Sequence, residues 1–238
     1  MEKPHPAIFF GDYEGDISEF ISEWNRRNRK LQLPDIVEQA AEGIMEEGRL
    51  VNQDFEAELI IDQLQRVKDK SKKEIFECAV RLYTADSFLY KLVDSSMRSH
   101  DMSKVDTLGA YCYLLQMHLF CSRDDNQVNL TVYRCANLTD ELIEEYKQLV
   151  GTHITWFTFT STTKNRRMIE QRGNTLFIIQ IKGRSCPTNT RSDITSLSYY
   201  PHEQEVLLQP GYRMKIAKVK QYDDPISNEK YFKIYIKY

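Results

Sequence analysis

Val128-Asn-Leu-Thr-Val-Tyr-Arg134 is the stretch where the chain changes period, and its reading decides the fold. Val128, Leu130 and Val132 alternate with Asn129, Thr131 and Tyr133, the spacing of a half-buried strand. Arg134 falls on the parity of the apolar residues, so a continued strand aims its guanidinium inward. A charge taken out of water is costly unless an anion meets it. Two partners suit it: a carboxylate in the core, or a phosphate or carboxylate of a ligand, which guanidinium grips in bidentate fashion.

Upstream of this switch, from Asp16 to about Ser122, the pattern is helical. Ile17, Phe20, Ile21 and Trp24 recur at helical spacing. Pro34 opens a second helix, where its missing N–H does no harm, and Ile36, Val37, Ala40, Ile44 and Met45 give it a face. Asp54 reads as the N-cap of a third, with Phe55, Leu59, Ile60, Leu64 and Val67 turned inward. Lys68 to Lys73 is basic and polar, a solvated connection. Helices over 74–83, 86–99 and 104–122 follow, the last carrying a core stripe of Leu108, Tyr111, Cys112, Leu115, Leu119 and Phe120. Residues 1–12 read as an extended lead-in.

Downstream, Thr139 caps a short helix that runs to Val150 and ends at Gly151. Ile154 to Thr163 reads as one strand that dissolves into hydroxyls, followed by a helix over 164–171. Leu176 to Ile181 is apolar on both faces, the mark of a central strand. Residues 183–200 read as a long loop, of a length that tends to be functional. Val206–Gln209, a Pro210-Gly211 turn, Tyr212–Lys220, a turn over Asp223–Asn228 and Tyr231–Ile236 complete an antiparallel set with one wet face. The fold class is therefore α+β: an N-terminal helical region, 1–74, followed by a β-rich core of two packed, mainly antiparallel sheets over 75–238. One continuous domain over 1–238 is the alternative division.

Composition narrows the function. Apolar residues at 41% and charged ones at 28% suffice for a real core. A net charge of −3 argues against nucleic acid or an anionic membrane as the main partner, since both need a basic surplus. No run approaches the length of a membrane span, and no basic-then-apolar leader opens the chain, so a cytoplasmic monomer is expected, or a secreted one if a leader has been removed. Five cysteines (78, 112, 121, 135 and 186), odd in number and without CxxC spacing, read as reduced structural thiols. The histidines are scattered, and neither a metal-ligand cluster nor a glycine-rich phosphate loop is present.

One further stretch carries chemistry: Leu197-Ser-Tyr-Tyr-Pro-His-Glu-Gln-Glu-Val-Leu-Leu208. Glu203 and Glu205 stand at i and i+2. In extended chain both side chains share a face, roughly 7 Å apart. Such a pair repels itself unless a cation lies between, and a solvated acidic strand start is the bland alternative.

Three features now stand in order: Val132-Tyr133-Arg134, Phe159-Thr160-Ser161-Thr162-Thr163, and Tyr200-Pro201-His202-Glu203-Gln204-Glu205. This order resembles the Arg, Ser-Thr-Ser, Glu-x-Glu signature of the arginine-specific mono-ADP-ribosyltransferases. Leu82-Tyr83-Thr84 through Leu89-Tyr90-Lys91 to Met97-Arg98 resembles a helix of that family's eukaryotic ecto-enzyme branch. The resemblance covers about residues 75–220. It implies an NAD-binding core, with NAD as co-substrate, no metal, and a protein arginine as acceptor. Glu205 would be the catalytic carboxylate, bonded to the nicotinamide ribose and stabilising an oxocarbenium-like cation. Glu203 would orient the acceptor guanidinium and help take its proton. Arg134 would contact an NAD phosphate, and Ser161 would position Glu205 and the ribose. Cys135, Thr162, Tyr83 and Ser198 are implied as further NAD contacts, and Tyr199 or Tyr200 as the side chain facing the acceptor.

The chain departs from the family pattern at three places. Cys135 replaces the usual Gly after the Arg, and Thr163 replaces the last Ser. The segment 164–174 carries Arg166, Arg167 and Arg172 but no aromatic to stack on nicotinamide, so a basic contact to phosphate is expected there. Two alternatives stand beside transfer to arginine: an NAD glycohydrolase, in which water is the acceptor, and a silent NAD-binding or interaction module.

Overall fold

A computed structural model of the chain describes residues 18–122, 129–169, 173–183, 191–223 and 230–237. The lead-in over 1–12, Asp16, Ile17, Val128, Arg172, Cys186, residues 184–190 of the long loop and the turn after Asp223 lie outside the described residues. Helices α1 (Glu19–Arg27), α2 (Leu33–Leu50), α3 (Asp54–Val67), α4 (Lys72–Thr84), α5 (Phe88–Arg98) and α6 (Val105–Cys121) come first. Then follow β1 (Leu130–Ala136), α7 (Asp140–Gln148), β2 (His153–Trp156), β3 (Thr160–Thr163), β4 (Thr175–Ile181), β5 (Arg191–Asp193), β6 (Glu205–Leu208), β7 (Tyr212–Asp223) and β8 (Lys230–Lys237). The α+β class holds.

Local chemistry accounts for most helix starts. Ser71 and Glu74 form a reciprocal capping box at the head of α4, and Ser87 and Thr139 cap α5 and α7. Asp54 proves to be the first residue of α3, after Gln53. On α6 five residues of the predicted stripe, Leu108, Tyr111, Cys112, Leu115 and Leu119, are sealed from water, while the sixth, Phe120, is half-buried. That helix is the axis of a cluster reaching from Phe20, Ile21 and Trp24 through α2 and α4 to Phe159, Ile194 and Leu207 of the β region. The cluster runs straight across residues 74 and 75. Two close approaches make it tight. A Cβ on Gly109 would stand 2.5 Å from the Trp24 ring, and one on Gly43 would stand 1.8 Å from the Thr107 carbonyl oxygen. Glu47 is buried among these helices and is satisfied by Lys104 Nζ at 2.7 Å and the Thr107 hydroxyl at 2.6 Å.

The inward assignment of Phe55 and Leu59 is overturned: they are 74% and 51% exposed. Their turn of α3 already buries Ala57, Ile60 and Leu64 on another face, and an apolar count cannot say which of two stripes wins.

The strands form one hydrogen-bonded sheet in the order β2-β7-β8-β4-β1-β3-β6-β5, rather than two separate sheets. Every pairing is antiparallel except β4 with β8. β4 is central, as its two apolar faces require. The sheet has a weak point at β1–β3, where the register is a single pair, Tyr133 with Thr163. Five strands lie on one side of this seam and three on the other. Val206 and Leu208 of β6 nonetheless join the same apolar cluster as Val132, Phe177, Ile216 and Ile234, so both parts share a core. The wet face predicted for the last strand is present: Phe232, Ile234 and Ile236 are buried and their neighbours are not.

Three expectations change here. Ile154–Thr163 is not one strand, because β2 pairs with β7 whereas β3 pairs with β1 and β6; the chain crosses the seam at residues 157–159. Trp156 accordingly packs in one cluster and Phe159 in the other. The helix expected over 164–171 reduces, among the described residues, to a 3₁₀ turn at Arg166–Met168. Lys164 N–H donates to the Gln204 carbonyl and Asn165 N–H to the Thr163 hydroxyl, which keep the chain extended after β3. The long loop contains a strand, β5, which pairs with β6 through Arg191–Leu208, Ser192–Leu207 and Asp193–Val206.

Candidate active site

β6 begins with a carboxylate where an apolar side chain would be expected. Glu205 is only 6% exposed. Burial raises its pKa, and the hydroxyls of Ser161 and Ser198 oppose that rise, followed in smaller measure by the charge of Arg134; Glu203 adds to the rise. The geometry is specific. Ser161 Oγ donates to Glu205 Oε1 at 2.5 Å, and Ser198 Oγ donates to Oε2 at 3.2 Å. Each carboxylate oxygen thus has its own hydroxyl, and the plane of the group is fixed. Ser198 in turn accepts from Tyr200 N–H at 3.0 Å.

The rest of the hydroxyl cluster is structural in this arrangement. Thr162 Oγ1 donates to the Val206 carbonyl at 2.6 Å, and Thr163 Oγ1 donates to the Glu203 carbonyl. Both clamp β3 to the strand and turn that carry the acids. Arg134 Nη1 donates to the Ser161 carbonyl at 3.0 Å, stitching β1 to β3 across the seam. The inward guanidinium therefore sets the strand whose side chain sets Glu205.

Glu203 and Glu205 are not neighbours along an extended strand. Glu203 ends a 3₁₀ turn, Pro201–Glu203, and Gln204 is left-handed at φ 50°. That reversal, which a non-glycine residue adopts at some cost, separates the pair's environments: Glu205 is buried and Glu203 half-buried.

A cleft of about 320 Å³ lies by Arg134, lined also by Arg98, Cys135, Asn137, Thr158 and Thr160; Glu203, Glu205, Ser161 and Ser198 are not among the residues that line it. Arg98, at the end of the Leu82–Arg98 block, lines the same cleft as Arg134. Its Nη2 is paired with Asp94, while its buried Nε has no acceptor among the described residues. A cleft holding two guanidiniums, one with an orphaned buried donor, suits the phosphates of a dinucleotide. Among the described residues no group of three or more His, Cys, Asp or Glu is placed to hold a metal ion.

Two aromatic candidates move to supporting positions. Tyr83 is 2% exposed, and its hydroxyl donates to the Phe159 carbonyl at 3.1 Å, so it props the segment entering β3 instead of facing the cleft. Tyr199 is docked on the helices: its N–H donates to Thr84 Oγ1 at 3.1 Å, its hydroxyl donates to Gln63 Oε1 at 3.1 Å, and the Arg81 guanidinium lies 4.7 Å over its ring. Tyr200, 40% exposed and edge-on to His202, is left facing outward. These contacts span 115 and 136 residues of chain, which no local signal encodes.

Comparison with known proteins agrees with this geometry. The family model described as NAD:arginine ADP-ribosyltransferase matches residues 49–228. No curated protein matches the sequence. Among solved structures, the type III effector XopAI from Xanthomonas axonopodis pv. citri superposes with a TM-score of 0.61 at 16% identity, over 97% of this chain and 94% of that one. Plx2a, an ADP-ribosyltransferase toxin from Paenibacillus larvae, gives 0.56 at 16% identity, over 68% and 84%. The ADP-ribosyltransferase HopU1 of Pseudomonas syringae pv. tomato gives 0.55 at 18%, over 74% and 87%. At these identities the structures speak for the fold, and the family match speaks for the chemistry. With the family model matched over residues 49–228, most of the chain, and a buried carboxylate held by two hydroxyls, the chain belongs to the NAD:arginine ADP-ribosyltransferase family.

Proposed function

We propose that the protein transfers a single ADP-ribose from NAD to the guanidinium of an arginine in a protein acceptor and releases nicotinamide. The observation that carries this reading is the contrast between the two acids: Glu205 buried with both oxygens held, Glu203 half-buried on the turn before it. Arg134 and Arg98 hold the phosphates of NAD, and Cys135 lines the same cleft. Ser161 and Ser198 keep the Glu205 carboxylate aimed at the ribose, where it stabilises positive charge as the bond to nicotinamide breaks. Glu203 takes the incoming guanidinium, orients it and helps remove its proton, and the cation offsets repulsion between the acids. Tyr200 is the side chain of the loop that meets the acceptor. The Tyr83-Thr84 to Met97-Arg98 block supports a place near the eukaryotic branch of the family.

Labelled NAD with agmatine tests the reading, with free nicotinamide measured beside the adduct. Wild type forms the adduct; Glu205→Gln loses both products; Glu203→Gln loses the adduct and keeps part of the nicotinamide release. Nicotinamide without adduct in the wild type makes the protein an NAD glycohydrolase, and neither product makes it a silent NAD-binding module.

A further inference from the structure

Four of the large apolar side chains most open to water among the described residues lie close together in sequence in the helical region, whereas Val150 and Tyr222 lie elsewhere. Phe55 is 74% exposed, Leu50 64%, Leu59 51% and Val51 41%. Leu50 ends α2, Val51 caps it, and the short turn to α3 brings both to the head of the helix bearing Phe55 and Leu59. On α3, Phe55, Leu59 and Gln63 stand at i, i+4 and i+8, one stripe about 12 Å long. The stripe does not stop at the helix. Gln63 Oε1 receives the Tyr199 hydroxyl at 3.1 Å, so it continues into the loop that carries Tyr200 and Glu203. Tyr199 and Tyr200 add 41% and 40% exposed rings.

Core packing does not require this exposure, because α3 buries Ala57, Ile60 and Leu64 elsewhere. A contiguous exposed apolar patch on a soluble domain marks an interaction surface. Beside Phe55 and Leu59 on α3 the exposed Asp54 and Glu58 are acidic and Asp62 is tied to Arg66, while Arg49 is exposed next to Leu50 and Arg81 lies over Tyr199. An apolar strip with carboxylates beside its α3 part, joined through Tyr199 to the loop that carries Glu203, complements a surface that offers apolar side chains together with arginine.

We infer that the α2–α3 stripe is the docking surface for the protein acceptor. Apolar side chains of the acceptor cover Phe55 and Leu59, its basic residues meet Asp54 and Glu58, and an arginine beyond them reaches Glu203 past Tyr199 and Tyr200. This rests on the arginine-transfer reading above. It gives the N-terminal helices a share in choosing the substrate, with Tyr199 as the joint between docking and chemistry.

The experiment compares wild type with the double variant Phe55→Ser/Leu59→Ser and with Glu58→Lys, in two assays. One is transfer from labelled NAD to agmatine, which is too small to touch the stripe. The other is transfer from biotinylated NAD to the proteins of a soluble eukaryotic cell lysate. Label in protein is expected to fall about tenfold in the double variant and by less in Glu58→Lys, while agmatine transfer and the melting temperature stay unchanged. Protein labelling that is unchanged, or that falls in parallel with agmatine transfer, overturns the inference. So does a wild type that modifies agmatine but no lysate protein. A wild-type dimer that becomes monomeric in the double variant, read by sedimentation, assigns the stripe to a second copy and also overturns it. A wild type with neither agmatine adduct nor nicotinamide release defeats the transferase reading itself.

Discussion

Replacing Ser161 by Ala isolates the tuning of Glu205. The hydroxyl donates to Oε1 at 2.5 Å, and the carboxylate is 6% exposed, so water cannot easily take its place. Burial favours the neutral acid, and the Ser161 hydroxyl is the largest influence opposing it. A hydrogen bond to a charged group is worth about 1.5–3 kcal/mol. At about 1.4 kcal/mol per tenfold change in an equilibrium, its loss moves the balance between carboxylate and neutral acid about tenfold to a hundredfold toward the acid. Since the reaction needs the carboxylate, the acid limb of the rate profile moves to higher pH. On the lower part of the wild-type plateau the variant loses about tenfold or more, and at high pH much of that loss is regained. The backbone stays in place, because Arg134 still holds the Ser161 carbonyl at 3.0 Å. The assay is initial nicotinamide release at saturating NAD from pH 4 to 9, for wild type, Ser161→Ala and Ser161→Thr, the last expected to restore the limb. A uniform drop with an unmoved limb means that the hydroxyl only positions the acid. A limb that moves down refutes the burial argument.

Tyr199→Leu frees the acceptor loop from Gln63 and Arg81, and should raise the KM for agmatine several-fold while NAD hydrolysis continues; equal loss of both would show a general defect. His118 is buried between Ser192 at 3.2 Å and Ser122 at 2.9 Å, and burial pushes its pKa down to about 4 from 6.5. The fold therefore favours neutral imidazole: stability is kept above pH 6.5 and lost as pH falls toward 4, by on the order of 3 kcal/mol in all. Denaturant titrations at pH 7.5 and 4.5 should show this loss in wild type and little of it in His118→Gln; equal slopes would remove the histidine from the acid response. Gly43→Ala puts a Cβ 1.8 Å from the Thr107 carbonyl oxygen, and forcing α2 from α6 should cost about 1–3 kcal/mol in denaturant melts. A stability gain of the size helix propensity offers would disprove the close approach.

The order of the site was legible in the chain because each part is a local pattern. The 2.0 period around Leu130 and Val132 sets Arg134 on the inward parity, Thr160–Thr163 announces a hydroxyl-rich strand, and Glu205 stands at the start of an apolar run. The start of α7 was legible for the same reason, since a cap such as Thr139 acts within three residues of itself, whereas Ser71, which caps α4, lies in the run that reads as a solvated connection. Tertiary structure alone decided what those parts touch. Ser161 and Glu205 lie 44 residues apart, and their bond exists because β3 and β6 pair in a register no single strand specifies. Tyr199 and Tyr200 look equivalent in sequence. The helices take one through Thr84, Gln63 and Arg81 and leave the other outward. Phe55 and Leu59 count as core by composition, and only the packing of α3 against its neighbours, which favours the Ala57–Ile60–Leu64 face, leaves them in water. Local periodicity fixed most of the elements, though not the break between β2 and β3 or the strand β5, and the kinds of side chain they carry; which of two competing faces is buried, and which distant hydroxyl meets which carboxylate, follow from the free energy of the whole assembled core.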